Sequence, residues 1–344
     1  MRIRYSTRKS GGRFRRVAAG AGIVVALTAV LTTPADTGVH GVAVVTEFPV
    51  TAGAGPTFVA AGTGSTVWFT ELKGNRIGRM TPGGKLTEFP IPTANSAPLD
   101  ITAGPDGTMW FTEFLGNRIG RVTGTGHITE FPIPTADSRP EGITAGPDGN
   151  LWFAEGAGNK IGRITSAGRV TEFPLPNPDS APHNITAGPD GAMWFTEPGA
   201  DRIGRITLAG QISEFTLPAP QRKPHRIVTG PDGNLWFTER AVDRIGRITP
   251  TGEITEFQLT EGRLPLDITV GADGNLWFTE RAANCIGRIT LAGEIAEFAI
   301  PTPATEPLGI TAGADRTVWF AEGNADKIGR LRPPLHPEDG SGCP

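Results

Sequence analysis

The chain has 344 residues, 32 basic and 35 acidic side chains, two cysteines and seven tryptophans. Seven of the basic residues fall in the first 16 positions with no acid among them, so the rest of the chain carries a net charge of about −10. That balance excludes nucleic-acid backbones and anionic membrane surfaces as general partners, and two cysteines exclude a disulfide framework or a cysteine metal cluster.

At the N-terminus, Arg2, Arg4, Arg8, Lys9, Arg13, Arg15 and Arg16 precede an apolar stretch from Val17 to Leu31 and then Thr33-Pro34-Ala35. Basic, then apolar, then small residues is the layout of a secretory signal, and the apolar part is short for a membrane span. Residues 1–35 are therefore expected to direct export, by the general or the twin-arginine route. No cysteine stands near the cleavage point to carry a lipid anchor. The expected product is a secreted or cell-envelope protein with no membrane span, and a monomer.

From residue 45 to 331 one unit recurs. Trp68, Trp110, Trp152, Trp194, Trp236, Trp277 and Trp319 lie 42 residues apart, with a single spacing of 41, and each opens the phrase Trp-Phe-Thr/Ala-Glu. Residues 143–174 show the whole unit: Ile-Thr-Ala-Gly-Pro-Asp-Gly, Asn-Leu-Trp-Phe-Ala-Glu, Asn-Lys-Ile-Gly-Arg-Ile-Thr and Arg-Val-Thr-Glu-Phe-Pro. Each piece is short, β-branched or aromatic, and bounded by turn residues, which predicts four antiparallel strands and no helix of useful length. Four strands in about 42 residues is a propeller blade.

The predicted fold is an all-β, seven-bladed β-propeller. The Glu-Phe phrase of the fourth strand begins before the first tryptophan and is missing after the last. Thr46-Glu47-Phe48-Pro49 therefore supplies the outer strand of the blade of Trp319, closing the ring without loose edges. Residues 332–344 form a C-terminal tail.

Whatever recurs seven times is read as scaffold. The tryptophans and phenylalanines are packing residues rather than sugar-stacking platforms. The Glu of Trp-Phe-Thr/Ala-Glu and the Arg of Ile-Gly-Arg are expected to form cross-strand pairs. Gly-Pro-Asp-Gly lacks the alternating oxygen ligands of a calcium loop and is a tight turn. Cys285 replaces the cation found at Arg76, Arg118, Lys160, Arg202, Arg244 and Lys327 in the other units. A bridge to Cys343 and a buried free thiol are both open at this point.

A specific site belongs where the units differ. In an up-and-down blade, the fourth-to-first and second-to-third connections share one face, and there the sequence varies. The residues expected to ring the channel mouth are Thr57, Leu99, Glu141, His183, His225, Leu266 and Leu308, and the residues following them are Phe58, Asp100, Gly142, Asn184, Arg226, Asp267 and Gly309. Glu141, His183 and His225 on three consecutive units stand out, because a histidine near neutral pH serves as general base or metal ligand. Arg222, Lys223, Arg226, Arg240, Arg263 and Arg281 add a local cationic cluster suited to an anionic ligand. Asn184, Lys223, Arg226 and Arg240 are the candidate ligand contacts.

Pro-His-x-Ile-Thr, Trp-Phe-Thr-Glu, Asn-Arg-Ile-Gly-Arg-Ile-Thr and Ile-Thr-Glu-Phe-x-x-Pro-Thr make residues 45–331 resemble the virginiamycin B lyase family of seven-bladed propellers. The resemblance implies a Mg²⁺-dependent elimination. A base removes an α-proton, the ester of a cyclic streptogramin B depsipeptide breaks, and the ring opens without water. The family's two working histidines fall at Leu266 and Leu308 here, its first acid at Glu306, and its second at Glu322 or Gly323. His183 and His225 repeat the histidine pair two blades earlier, but the acid positions there are Lys223 and Arg240.

Three readings follow. A lyase would use His225 as base, His183 for positioning, and Glu141 with Glu306 as carboxylates for Mg²⁺. A secreted, non-catalytic propeller would bind an anionic small molecule, peptide or cell-envelope ligand at the channel mouth. A general scaffold would need no site. Export favours binding, because an antibiotic acting on ribosomes is destroyed inside the cell.

Overall fold

The structure is a computed structural model that describes residues 43–334 and 342–343; the expected signal segment, His40 and His336 lie outside them. The described chain forms seven four-stranded antiparallel sheets, as the repeat predicts. Blade 1 comprises Pro56–Ala61, Val67–Glu71, Arg76–Met80 and Leu86–Pro90, numbered first to fourth strand from the channel outward. Blades 2 to 6 repeat this order. Blade 7 takes Pro307–Ala312, Val318–Glu322 and Lys327–Arg332 from the end of the repeat and its fourth strand, Val44–Pro49, from the beginning. Among the described residues no helix is long and apolar enough to cross a membrane.

The aromatic phrase is packing, as expected. All seven tryptophans are at most 4% exposed, and each stacks on the fourth-strand phenylalanine of its own blade, as Trp152 does on Phe173 at 5.5 Å. Their outer edges meet the next blade: Trp68 packs with Ile101, Met109 and Phe111. The inter-blade layers thus form seven small cores in a ring, each built from two adjacent sheets.

The recurrent charges behave differently from the expected pairs. Arg79, Arg121, Arg163, Arg247, Arg288 and Arg330 lie over the tryptophan opposite them in the register, 5.2–6.0 Å from the ring centroid, so their cross-strand partner is an aromatic face. The second-strand glutamates do sit opposite the third-strand cations, as Glu71 does opposite Arg76. Yet Arg76 makes its ion pair with fourth-strand Glu88, and Glu71 is fully enclosed with neither carboxyl oxygen hydrogen-bonded. The same holds for Glu113, Glu155, Glu197, Glu239, Glu280 and Glu322. Burial, reinforced in every blade by the neighbouring fourth-strand carboxylate, raises these acids to about 8, or about 7 for Glu197.

Blade 6 explains part of the cationic cluster. Its third strand opens with Cys285 instead of a cation, and Arg263 arrives from the preceding loop to pair with Glu297 at 2.8 Å and Glu280 at 3.6 Å. Cys285 is bonded to Cys343, which settles the choice left open above. The bond fixes the tail to blade 6. Cys343→Ser is expected to lower the unfolding free energy by about 2 kcal/mol, read by urea titration, and to leave ligand binding at the channel mouth unchanged.

Candidate functional site

The two variable connections do share one face. The loop before blade 1 bonds to that blade's second-to-third loop, with the Leu72 N–H donating to the Gly55 carbonyl at 3.1 Å and the Lys73 N–H to Ala54 at 3.1 Å. The chain then enters the first strand through a residue in the left-handed region: Gly55, Ala97, Arg139, Ala181, Lys223, Leu264 and Glu306, with φ of 48–59°. A proline follows, and in six blades a bulge lies between it and the Ile or Val of the regular strand. The bulge breaks the alternation of the strand and turns two consecutive residues towards the channel. Neighbouring mouth positions therefore meet, as His183 meets His225, and the residues after them meet across the channel, as Arg226 meets Asp100.

Glu141, His183 and His225 come together. The two imidazoles lie 3.8 Å apart between centroids, tilted by 37°. His225 Nδ1 contacts the Leu266 carbonyl at 3.1 Å and His183 Nδ1 contacts the His225 carbonyl at 3.2 Å. A carbonyl only accepts, so both neutral rings carry their proton on Nδ1 and present a lone pair at Nε2. The Nε2 of His183 faces Glu141 Oε2 at 3.4 Å, whereas that of His225 has no hydrogen-bond partner among the described residues.

Gly142 makes the assembly possible. Its N–H donates to the His183 carbonyl at 2.8 Å, and a Cβ there would lie 2.6 Å from Asn184 Nδ2 and 2.9 Å from that carbonyl. Gly142→Ala is expected to push blades 3 and 4 apart at the mouth and to broaden the His183 ring signals in an NMR spectrum, with the fold retained.

Electrostatics keep the pair neutral. Burial is the largest cause for both histidines. It takes His183 to about 3 with help from the Arg226 and Arg240 charges, and takes His225 well below 6.5 with His183 and both arginines adding to the effect. Glu141 moves the other way, to about 7, because burial outweighs the attraction of Arg226. The raised Glu141 and the lowered His183 leave an imidazole and a carboxyl group 3.4 Å apart in which the neutral forms are favoured.

The predicted ligand contacts divide into two groups. Arg226 is 4% exposed and spans the channel, holding Asp100 with two bonds of 2.9 and 3.1 Å. Its Nε lies 3.5 Å from Asp267, and its guanidinium 3.7 Å from the Phe58 ring centroid. Asn184 Oδ1 accepts the Ile227 N–H at 2.9 Å and so ties blade 4 to blade 5. Both residues form the floor of the mouth. Lys223 and Arg240 are exposed, and neither side chain makes a hydrogen bond or ion pair among the described residues. Arg222 and Arg281 are engaged, with Glu256 at 3.0 Å and Glu306 at 2.7 Å.

The donor set at the mouth does not suit Mg²⁺. This hard cation takes several oxygen ligands, whereas here one carboxylate faces an imidazole within the field of two guanidinium groups. Glu306 stands in the loop before blade 7, paired to Arg281. Among the described residues, three potential ligand atoms converge only at Glu280, Cys285 and Cys343, where both sulfurs are in the disulfide. Sequence reasoning found the histidine pair by subtraction; it missed the Arg226–Asp100–Asp267 floor, because the three residues stand on blades 5, 2 and 6 and meet only across the channel.

The fold matches known proteins closely. A crystal structure of virginiamycin B lyase from Staphylococcus aureus is 45% identical, with a TM-score of 0.81 over 84% of this chain and 99% of that one. A streptogramin B lyase structure is 41% identical, with a TM-score of 0.82 over 84% and 97%. A catalytically inactive variant of the staphylococcal lyase, solved with quinupristin, is 44% identical, with a TM-score of 0.81 over 84% and 99%. No match among curated proteins reaches significance. The sequence profile of the virginiamycin B lyase family matches residues 37–234 and 184–334, and this chain belongs to that family.

Proposed function

We propose that this chain is an exported binding propeller that uses the family's ligand face for a small molecule or peptide bearing an anionic group and a hydrogen-bond donor. The observation that carries the reading is the free Nε2 of His225, fixed as an acceptor, on a mouth that also presents the unpaired guanidinium of Arg240. An anion on the ligand pairs with Arg240, and an O–H or N–H of the ligand donates to His225. Leu266 and Leu308 give the remaining rim an apolar lining where the resemblance places the working histidines. The Cys285–Cys343 bond supports an oxidising compartment.

Proton abstraction is disfavoured by the same geometry. A general base works best when its pKa lies near the operating pH, and His225 is held well below 6.5 by burial and its cationic neighbours. A second reading, a streptogramin B lyase conferring antibiotic resistance, is favoured by the 41–45% identity to such enzymes. In it His225 takes the α-proton, His183 positions the substrate and the neutral Glu141–His183 pair orients the ring.

One experiment separates them. Purified protein, Arg240→Ala and His225→Ala are incubated with a streptogramin B, with and without Mg²⁺, and followed by mass spectrometry, ring-opening assay and calorimetry. The expected result is no ring opening, with binding of an anionic glycan or peptide measured alongside and weakened about ten-fold in each variant, the loss of one charged or one buried hydrogen bond. A ring-opened product of unchanged mass that disappears in His225→Ala establishes the lyase and overturns the binder.

A further inference from the structure

The face opposite the channel mouth carries the turns between first and second strands, and four of these are built around a carboxylate. Trp152, Trp194, Trp236 and Trp277 donate their indole N–H to the aspartate four residues earlier, Asp148, Asp190, Asp232 and Asp273, at 3.0–3.1 Å. In blades 3 and 4 that carboxylate also faces the third-strand arginine, at 3.7 Å for Arg163 and 2.6 Å for Arg205. In those two blades a tryptophan N–H, an arginine and a carboxylate therefore form one unit.

Blade 1 has two of the three parts. The residue four before Trp68 is Gly64, and the Trp68 indole N–H makes no hydrogen bond among the described residues, although the side chain is only 4% exposed. Arg79 lies 5.3 Å from the Trp68 ring centroid; its guanidinium donates to the Gly124 carbonyl at 2.7 Å and has no carboxylate partner. Thr66 stands nearby, but its hydroxyl donates to the Thr63 carbonyl at 2.8 Å.

A cleft of about 90 Å³ opens at this point, lined by Thr63, Thr66, Trp68 and Arg79 with Gly107 and Met109 of blade 2. A second cavity of about 290 Å³ shares Thr66 and runs to Ala312 and Gly313 of blade 7. Blade 7 departs from the pattern as well. Asp315 is four before Trp319, yet its backbone is left-handed, with φ of 59°, and it does not bond to the indole. Blade 2 provides a contrast: Asp106 is taken by Thr108, and the unpartnered Trp110 N–H is fully enclosed.

We propose that blade 1 is a second ligand site, on the face away from the channel mouth, for a small carboxylate. The ligand's carboxylate accepts the Trp68 indole N–H and pairs with Arg79, taking the place that Asp148 or Asp190 holds in its own blade. The body of the ligand extends into the cavity between blades 1 and 7, whose walls are small residues and hydroxyls. Burying the carboxylate is offset by a charge-assisted bond to the guanidinium and by an anionic acceptor replacing solvent at the Trp68 N–H.

The test uses the indole N–H signals of the seven tryptophans in a ¹H–¹⁵N NMR spectrum, with Trp68 assigned by Trp68→Phe. Acetate probes the head group alone, N-acetylglycine a peptide terminus, and glucuronate an acidic sugar. Saturable movement of the Trp68 signal is expected with at least one of them, while Trp152, Trp194, Trp236 and Trp277 stay in place. Arg79→Gln, which keeps a planar amide but no charge, is expected to weaken binding at least ten-fold. No movement of Trp68 with any of the three, or parallel movement of all seven signals, overturns the site.

Discussion

Arg226→Met lowers the unfolding free energy by about 3–5 kcal/mol, the usual cost of breaking a buried ion pair by removing one partner. Arg226 neutralises two buried carboxylates from blades 2 and 6, and both are already committed elsewhere. Asp100 accepts the Ile143 N–H at 2.9 Å, and Asp267 accepts the Ile268 and Ile310 N–H groups at 2.9 and 2.8 Å. Without the guanidinium both carboxylates are left uncompensated in the buried floor. At Asp267 burial already outweighs Arg226 and raises the carboxyl to about 6. The check is urea unfolding near pH 7. Arg226→Met combined with Asp100→Asn is expected to be less destabilising than the sum of the two single variants, because the second change removes one stranded charge. Additive losses would mean that the three groups do not act together.

Stability is also expected to fall as pH rises from about 5 to about 8. In an unfolded chain, each second-strand glutamate loses its proton near 4.5, whereas in the ring it keeps it to about 8, or about 7 for Glu197. The folded state therefore binds more protons between those limits. The stabilisation is fully present below 4.5 and is lost as pH rises through about 8, with each proton contributing a slope of up to about 1.4 kcal/mol per pH unit. Fourth-strand Glu47 and Glu172 are shifted down by their lysine and threonine partners and act in the opposite sense, losing their contribution only as pH falls below 4.5. The urea midpoint is thus expected to be highest near about pH 5 and to drop by about pH 9. Glu113→Gln, which keeps the shape and removes the titration, flattens that slope by about one proton. A midpoint that stays level over this range would show that water reaches the seven acids.

The scaffold was legible because each of its signals is local and repeated. Tryptophan spacing gives blade length, turn residues mark strand ends, and the displaced Glu-Phe phrase reveals the closure. The second-strand glutamates were misread for an equally physical reason. Register places Glu71 opposite Arg76, but the side chain of Arg76 reaches across its own strand to Glu88, and no one-dimensional pattern reports that choice. At the mouth, His183 and His225 stood out because histidines are scarce. Arg226 was taken for a ligand contact because its partners, Asp100 and Asp267, are far away in sequence and meet it only across the channel. Arg222 and Arg263 likewise were read as part of an anion site, and each is already engaged with the glutamates of its own blade.

The borrowed fourth strand of blade 7 also sets the order of events in folding. Glu47 and Lys327 are 280 positions apart, so the first strand made is the last to find its partner. Six blades can form from contacts within one repeat, and the seventh waits on a loop closure that spans the whole ring. During that interval the strand Val44–Pro49 and the uncovered edge of Lys327–Arg332 are each free to pair with their counterpart in a second chain. Refolding at high protein concentration therefore favours exchanged dimers in which each ring is clasped by its neighbour's first strand.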